Sequence, residues 1–255
     1  FGVMTFEPVP VMFFNKKIKN HRINSLQQKK QQLKKFKLDF LIIIKFNKKF
    51  SSQSAEEFIK KIIFKKTKCK FLYVSKNFKF GFKRQGNIKT LKKFEKKFNY
   101  KNLIVKPYLK NQKIISSTLV RKKITQGKII EVNKLLNRNW SIEGKVIRGQ
   151  KRGRKIGFPT CNLKIKNYVV PKLGVYSVKV KTTKFDKKGI ANIGYRPTFK
   201  GQRLLLETNI FGINKNLYNK VISVSFKRFI RSEKKFRNLD YLKKQIRIDV
   251  KKAKR

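Results

Sequence analysis

The chain changes texture once, near residues 137–139, and that change decides what it can fold into. Before it, short apolar runs alternate with amphipathic stretches of helical period. After it, short strand-like runs come at turn-sized spacing, with glycines at 144, 149, 153, 157, 174, 189, 194, 201 and 212. Alternating strand and helix implies a parallel sheet with helices on its faces. Short strands punctuated by glycine imply a small antiparallel barrel or sandwich. The first half, 1–137, predicts strands over 1–6, 40–46, 71–74 and 102–105. The run 40–46 is apolar except for Lys45 and reads as a strand buried on both faces. Ser25 reads as the N-cap of a helix with Leu26, Leu33 and Phe36 inward. Ser54-Ala-Glu-Glu57 reads as a capping box opening a helix with Phe58, Ile59, Ile62 and Ile63 on one side. Helices over 88–98, 119–124 and 129–136 complete this half. The second half, 138–255, predicts strands over 140–147, 175–180, 204–211 and 221–229. It closes on a helix over 239–250 with Leu242, Ile246 and Val250 on one face. No internal repeat is present.

Charge narrows the function classes less than its size suggests. Lys+Arg is 69 against 12 Asp+Glu, a formal balance of +57. The lysines run the whole length, with no basic tail, and Ala occurs only at 55, 191 and 253. That pattern reads as drift towards A+T-rich codons, with Lys filling solvated positions; a selected polyanion-binding surface is the other reading. Non-specific affinity for nucleic acid follows from either. No apolar run reaches the roughly 18 residues of a membrane helix. Cys69 and Cys161 make no disulfide framework. With His21 the only histidine, zinc, haem and His-based triads are nearly excluded.

Three stretches carry chemistry. In 144–162, glycines alternate with Arg148, Lys151, Arg152, Arg154 and Lys155. Neither familiar phosphate-loop spacing is present, yet close-approaching N–H groups and dense positive charge suit an anion. Thr160 and Asn162 are neutral oxygen donors two apart, so on an extended segment they face one side and suit Mg²⁺ and phosphate oxygens. The same stretch is equally a basic hairpin loop with turn glycines. In Leu204-Leu-Leu-Glu207, an acid stands in a strand of a chain that avoids acids. Sharing a face with Leu205, Glu207 is partly enclosed and suits a general base; an outward residue of an amphipathic strand is the alternative. In 115–121, Ser116, Ser117 and Thr118 open a helix with Arg121 one turn in, an arrangement for phosphate or simply for an N-cap. His21 reads as a loop residue and Cys161 as packing.

Taken together these stretches resemble one family, the bacterial bifunctional riboflavin kinase/FMN adenylyltransferase, also called FAD synthetase. Thr5-Phe-Glu-Pro8 is similar to its T-F-D-P-H-P, and 22–29 to R-L-T-S-L-x-x-K. Residues 78–86 are similar to D-F-R-F-G…G, and 115–121 to I-S-S-T-x-[VI]-R. Residues 149–162 are similar to G-D-x-R-G-R-x-L-G-F-P-T-A-N, and 191–199 to A-N-I-G-x-R-P-T-F. The resemblance implies an α/β nucleotidyltransferase-like, Rossmann-like first half, incomplete here, and a riboflavin kinase barrel with a terminal helix. It implies phosphorylation of riboflavin to FMN and adenylylation of FMN to FAD in the cytoplasm. ATP is the co-substrate and Mg²⁺ the cofactor, with no tightly bound prosthetic group and no membrane partner. Carried over, Glu207 is the catalytic base, and Thr160 and Asn162 hold the metal. Gly149, Gly153, Arg154, Gly157, Pro159 and Thr160 bind the ATP phosphates of the kinase. Ser116, Ser117, Thr118 and Arg121 bind the triphosphate of the adenylyltransferase.

The departures lie mainly in the first half. The family's opening G-x-F-D-G-x-H-x-G-H is not found, so the chain reads as a fragment or as a degenerate adenylyltransferase. Val9 replaces a histidine, Lys76 and Asn77 replace a pair of acids, and Asn87 replaces another. In the second half Cys161, Asn209 and Asn219 replace Ala, His and Gly. A kinase-only enzyme with a scaffold half, and a basic nucleic-acid-binding protein on a retired enzyme fold, are the two alternatives.

Overall fold

A computed structural model of the chain describes residues 1–110, 113–149, 152–198, 201–213 and 215–255. The chain divides into two compact units that do not follow its order: Phe1–Ile18 with Lys37–Ile115, and Lys19–Phe36 with Ser116–Arg255.

In the first unit, β1 (Gly2–Glu7) is followed by α1 (Pro10–Phe14). In the second unit, α2 (Leu26–Lys34) intervenes before the chain returns to the first with β2 (Phe40–Lys45), parallel to β1. After α3 (Lys48–Ser51), α4 (Ala55–Phe58) continues as a π-wound turn, Ile59–Lys66. The capping box at its start is as expected: Glu57 N donates to Ser54 Oγ at 3.1 Å and Ser54 N to Glu57 Oε2 at 3.0 Å. Phe58, Ile59, Ile62 and Ile63 are all buried on one side. Then β3 (Phe71–Ser75) pairs in parallel with β4 (Lys101–Val105). Between them, α5 (Ile88–Lys93) and α6 (Glu95–Phe98) replace the single helix expected over 88–98, because Phe94 leaves helical backbone angles. A short hairpin, β5 (Leu109–Lys110) and β6 (Lys113–Ile114), follows. The parallel pairing is thus present as two two-stranded sheets. Residues 40–46 are not buried on both faces: β2 has one paired neighbour among the described residues, and Phe40 is half exposed. Phe36 lies past the end of its helix and is exposed rather than inward.

The second unit is a six-stranded antiparallel barrel. Two helices lead into it, α7 (Ser117–Thr125) and α8 (Ile129–Leu136). Its strands are β7 (Ser141–Lys145), β8 (Cys161–Lys164), β9 (Gly174–Lys181), β10 (Asp186–Thr198), β11 (Gly201–Ile210) and β12 (Val221–Arg231). A turn of helix, α9 (Arg152–Lys155), precedes β8, and α10 (Leu239–Lys254) ends the chain. The order is β7-β12-β9-β10-β11-β8, and a bridge between Ile147 and Asn162 brings the two edges together, nearly closing the barrel. Period-two alternation sends Leu204, Leu206, Thr208 and Ile210 inward, where Trp140, Tyr176 and Phe226 fill the centre. The Trp140 and Phe226 rings stack at 4.9 Å.

Residues 19–36 are structurally part of this barrel. Trp140 Nε1 donates to the Ile23 carbonyl at 2.7 Å, and Arg138 Nη2 to Asn24 Oδ1 at 2.8 Å. Buried Gln28 donates to Ser141 Oγ at 2.9 Å and accepts from the Tyr168 hydroxyl at 2.9 Å. Every polar atom of that amide has a partner, which is what makes a buried glutamine tolerable.

Candidate active site

Inward leucines on β11 put Leu205, Glu207 and Asn209 on its outer face. Antiparallel register then aligns neighbours across the sheet: Asn162 on β8 and Asn192 on β10 both lie opposite Glu207, and Val175 and Arg231 continue the row. Cross-strand partners share a face, so Asn162, Glu207, Asn192 and Arg231 form one polar line on the outside of the barrel. Over that line lies a cavity of about 380 Å³ whose lining includes Thr160, Asn192, Glu207, Asn209, Leu242 and Ile246. Leu242 and Ile246 are the apolar face expected of the last helix, and they form one wall.

Arg196 is the hub. Its Nε and Nη2 reach Glu207 Oε2 at 3.1 and 2.5 Å, and its Nη1 lies 3.5 Å from Glu233 Oε1. Nη1 also donates to the Tyr195 carbonyl at 3.1 Å. The Asn192 amide, oriented to satisfy both neighbours, accepts from Nη2 at 2.6 Å and donates to the Gly174 carbonyl at 3.3 Å. All five guanidinium N–H groups therefore have acceptors. Burial alone would lower the Arg196 pKa, but the two carboxylates outweigh it and the value is raised. Further along, Arg231 grips Asp249 of α10 at 2.7 Å, both largely buried, and so fixes the last helix over the cavity.

The metal-type donors sit at the edge of the same line. Asn162 is buried, and its Oδ1 has no hydrogen-bond partner among the described residues. A buried amide oxygen left free is costly unless something outside the protein completes it. Gly149 packs against this amide so closely that a Cβ there would lie 2.0 Å from Asn162 Nδ2. Thr160 is exposed, two residues before, and lines both the 380 Å³ cavity and a smaller one of about 50 Å³ with Arg154, Tyr218 and Lys215. Two neutral oxygens, one of them orphaned, fit a hard cation such as Mg²⁺.

The loop between the donors and Gly149 is tightly wound. Phe158 N donates to the Gly153 carbonyl at 2.8 Å, and a Cβ at Gly153 would meet the Phe158 oxygen at 2.4 Å. Gly157 has φ +87°, which favours glycine. Pro159 is held by its carbonyl, which accepts from Asn209 Nδ2 at 2.7 Å. Residues 150–151, and with them Lys151, lie outside the described residues, as does the side chain of Arg152.

Glu207, Thr160, Asn162, Gly149, Gly153, Arg154 and Pro159 thus belong to one region, and Gly157 to the loop beside it. Ser116, Ser117, Thr118 and Arg121 form a separate group at the start of α7. There Leu119 N donates to Ser116 Oγ at 3.2 Å, the ordinary N-cap bond, and Arg121 lies 3.5 Å from Thr118 Oγ1. His21 belongs to the same unit; burial first and the Arg121 charge second lower its pKa. Burial pushes the Cys161 thiol up to about 11, in keeping with a packing role. Arg196, Asn192, Glu233, Arg231 and Asp249 were not singled out from the sequence. The signal was available: Glu233 and Asp249 are, like Glu207, among only twelve acids.

Family-level sequence models described as riboflavin kinase and FAD synthetase match residues 136–255 and 1–119. A bifunctional riboflavin kinase/FMN adenylyltransferase of Buchnera aphidicola from Schizaphis graminum is 41% identical over 97% of this chain and 81% of that protein. One of the same description from Haemophilus influenzae is 38% identical over 99% and 82%. Among solved structures, a Streptococcus pneumoniae protein described as a macrolide-efflux protein superposes with a TM-score of 0.84 at 29% identity. That match covers 99% of this chain and 83% of the other. No helix among the described residues is long and apolar enough to cross a membrane.

Proposed function

Because the chain belongs to the bifunctional riboflavin kinase/FMN adenylyltransferase family, we propose that residues 138–255 carry out phosphoryl transfer with Glu207 as the base and that residues 1–137 serve adenylyl transfer. The work is flavin cofactor biosynthesis, with ATP as co-substrate of both steps. Riboflavin enters the cavity between the outer barrel face and α10, and its ribityl 5′-hydroxyl reaches Glu207. Glu207 takes the hydroxyl proton; the oxygen bonds to the γ-phosphorus of ATP, the bond to the β-phosphate oxygen breaks, and ADP leaves. Little covalent chemistry falls to the protein in such a transfer, so positioning and charge dominate.

Thr160 and Asn162 would hold Mg²⁺, which when bound offsets the charge on the phosphate oxygens. Gly149, Gly153, Arg154, Gly157 and Pro159 shape the loop over the ATP phosphates. Ser116, Ser117, Thr118 and Arg121 bind the triphosphate of the adenylyl transfer. The family resemblance supports cytoplasmic work.

The observation that carries this reading is the alignment of Glu207 with the unpartnered Asn162 oxygen beside a cavity of ligand size. The test is FMN formation from riboflavin and MgATP by the parent chain and by Glu207→Gln. The substitution keeps the strand and removes only charge. Turnover is expected to fall by roughly 10² to 10⁴, with flavin and ATP binding kept within a few-fold. A kcat within about threefold of the parent would remove Glu207 from the mechanism.

A further inference from the structure

We propose that Arg196 is the positioning residue for Glu207, and that Glu233 holds the same guanidinium from its other nitrogen. The proposal rests on the reading of Glu207 as the base. Nothing in the reaction itself requires a cation on that base, yet the outer face is built to hold one there. Arg196 meets Glu207 through two nitrogens and Glu233 through the third. Two nitrogens of a planar fork converging on one carboxylate oxygen, Oε2, fix where that carboxylate lies, which a flexible ammonium does not do.

The arrangement depends on a missing side chain. A Cβ at Gly194 would come within 2.1 Å of Glu233 Oε1 and 2.9 Å of Arg196 Nη1. Only glycine there lets the Glu233 carboxylate lie against β10 and reach the guanidinium. A Cβ at Gly174 would likewise strike the Arg231 carbonyl at 2.2 Å, so the segment that delivers Glu233 also rests on a bare backbone. The charged groups lining the cavity around Glu207 are Arg196 from β10, Arg231, Glu233 and Lys234 from the end of β12 and beyond, and Asp249 from α10. Of these, Arg231 and Asp249 neutralise each other. Arg196 is the cation bonded to Glu207, and Glu233 is that cation's second partner.

When Glu207 takes the hydroxyl proton it becomes neutral and loses its hold on the guanidinium. Glu233 remains to keep that cation paired, so the proton transfer leaves no uncompensated charge on a half-buried face. The two acids predict unequal losses. Losing Arg196 leaves Glu207 without the group that places it, which lowers kcat while the KM values for riboflavin and MgATP stay near the parent's. Losing the charge of Glu233 leaves both Arg196 nitrogens on Glu207, so its cost is smaller.

The experiment is kcat and the KM values for riboflavin and MgATP in FMN formation by the full chain and its Arg196→Gln, Arg196→Lys and Glu233→Gln variants, each checked for folding by circular dichroism, with Glu207→Gln as reference and Arg196→Gln also placed in the Glu207→Gln background. In Arg196→Gln, kcat is expected to fall roughly 10- to 100-fold, the effect of a misplaced reacting group, with both KM values within about threefold of the parent's. In Arg196→Lys kcat stays low, because charge is restored and the fork is not. In Glu233→Gln kcat falls less than in Arg196→Gln. In the Glu207→Gln background the Arg196 change costs nothing further, because the base it places is gone. Parental kcat in folded Arg196→Gln, or a loss that persists in full in the Glu207→Gln background, overturns the proposal. Should Arg196→Gln not fold, Arg196→Lys decides, and parental kcat there refutes it. Near-parental turnover in Glu207→Gln would instead refute the base on which the proposal stands.

Discussion

Glu207 and Thr208 are adjacent in sequence and lie on opposite faces of one strand. Period two was enough to place Glu207 with Leu205 and to put Thr160 on the same side as Asn162. It said nothing of which residues from other strands would stand beside them. The Asn162–Glu207–Asn192 row needs the register of β8, β11 and β10, and register is fixed by the packed inner face and the turns between strands. That is why Arg196 and Glu233 went unread while Glu207 did not. The metal-type donors yield a prediction of their own. Thr160→Ala and Asn162→Ala should raise the MgATP concentration needed for half-maximal FMN formation as well as lower kcat. Gly149→Ala should resemble Asn162→Ala, since its methyl displaces the Asn162 amide. The flavin KM should move little in all three. If MgATP dependence is unchanged in Asn162→Ala, the orphaned oxygen has another purpose.

Elements whose ends carry a chemical signal were legible. The capping box at Ser54 and the N-cap at Ser25 stand where the sequence puts them. Most expected strands are present with ends shifted by a few residues. What escaped was short or polar: β8 has four residues, and β10 begins Asp186-Lys-Lys-Gly, with no apolar alternation to announce it. Residues 40–46 were misjudged because a largely apolar run describes composition and not the number of neighbours a strand acquires. The seat of α2 on the barrel shows the same limit, for no local pattern links Gln28 to Ser141 and Tyr168. Beside that seat lies Glu143 on β7. Burial raises its pKa, partly offset by hydrogen bonds with Gln28 and Ser223. The folded chain therefore binds that proton more tightly than the unfolded chain. Its contribution to stability is full below the ordinary glutamate value of about 4.3 and is lost as pH rises through the raised one. Glu143→Gln abolishes this dependence, so the Tm of the variant relative to the parent should climb between about pH 4 and pH 8. A difference that stays flat or declines with pH would show that burial does not control this group.

For the molecule as a whole, a charge of +57 sits on an enzyme of small anionic and neutral substrates. Lysine at every stretch of surface predicts attraction without address. Duplex DNA binding, where it is measured, should be blind to sequence and vanish by roughly 0.5 M salt, as counterion release requires. A site-specific complex surviving that salt would mean the lysines were selected for it. The interleaving of the two units has a consequence in time. Ile23 and Trp140, joined by a hydrogen bond, are 117 residues apart. A ribosome adding roughly 5–20 residues per second needs about 6–23 s to bring the second after the first. Through that interval α2 has emerged without the strands that bury Gln28. The last helix, which walls the cavity, comes later still. The kinase half is therefore finished only once α10 has emerged, and a nascent chain arrested before Arg231 and Asp249 have both emerged would carry Glu207 and Arg196 with no ion pair to hold α10 above them.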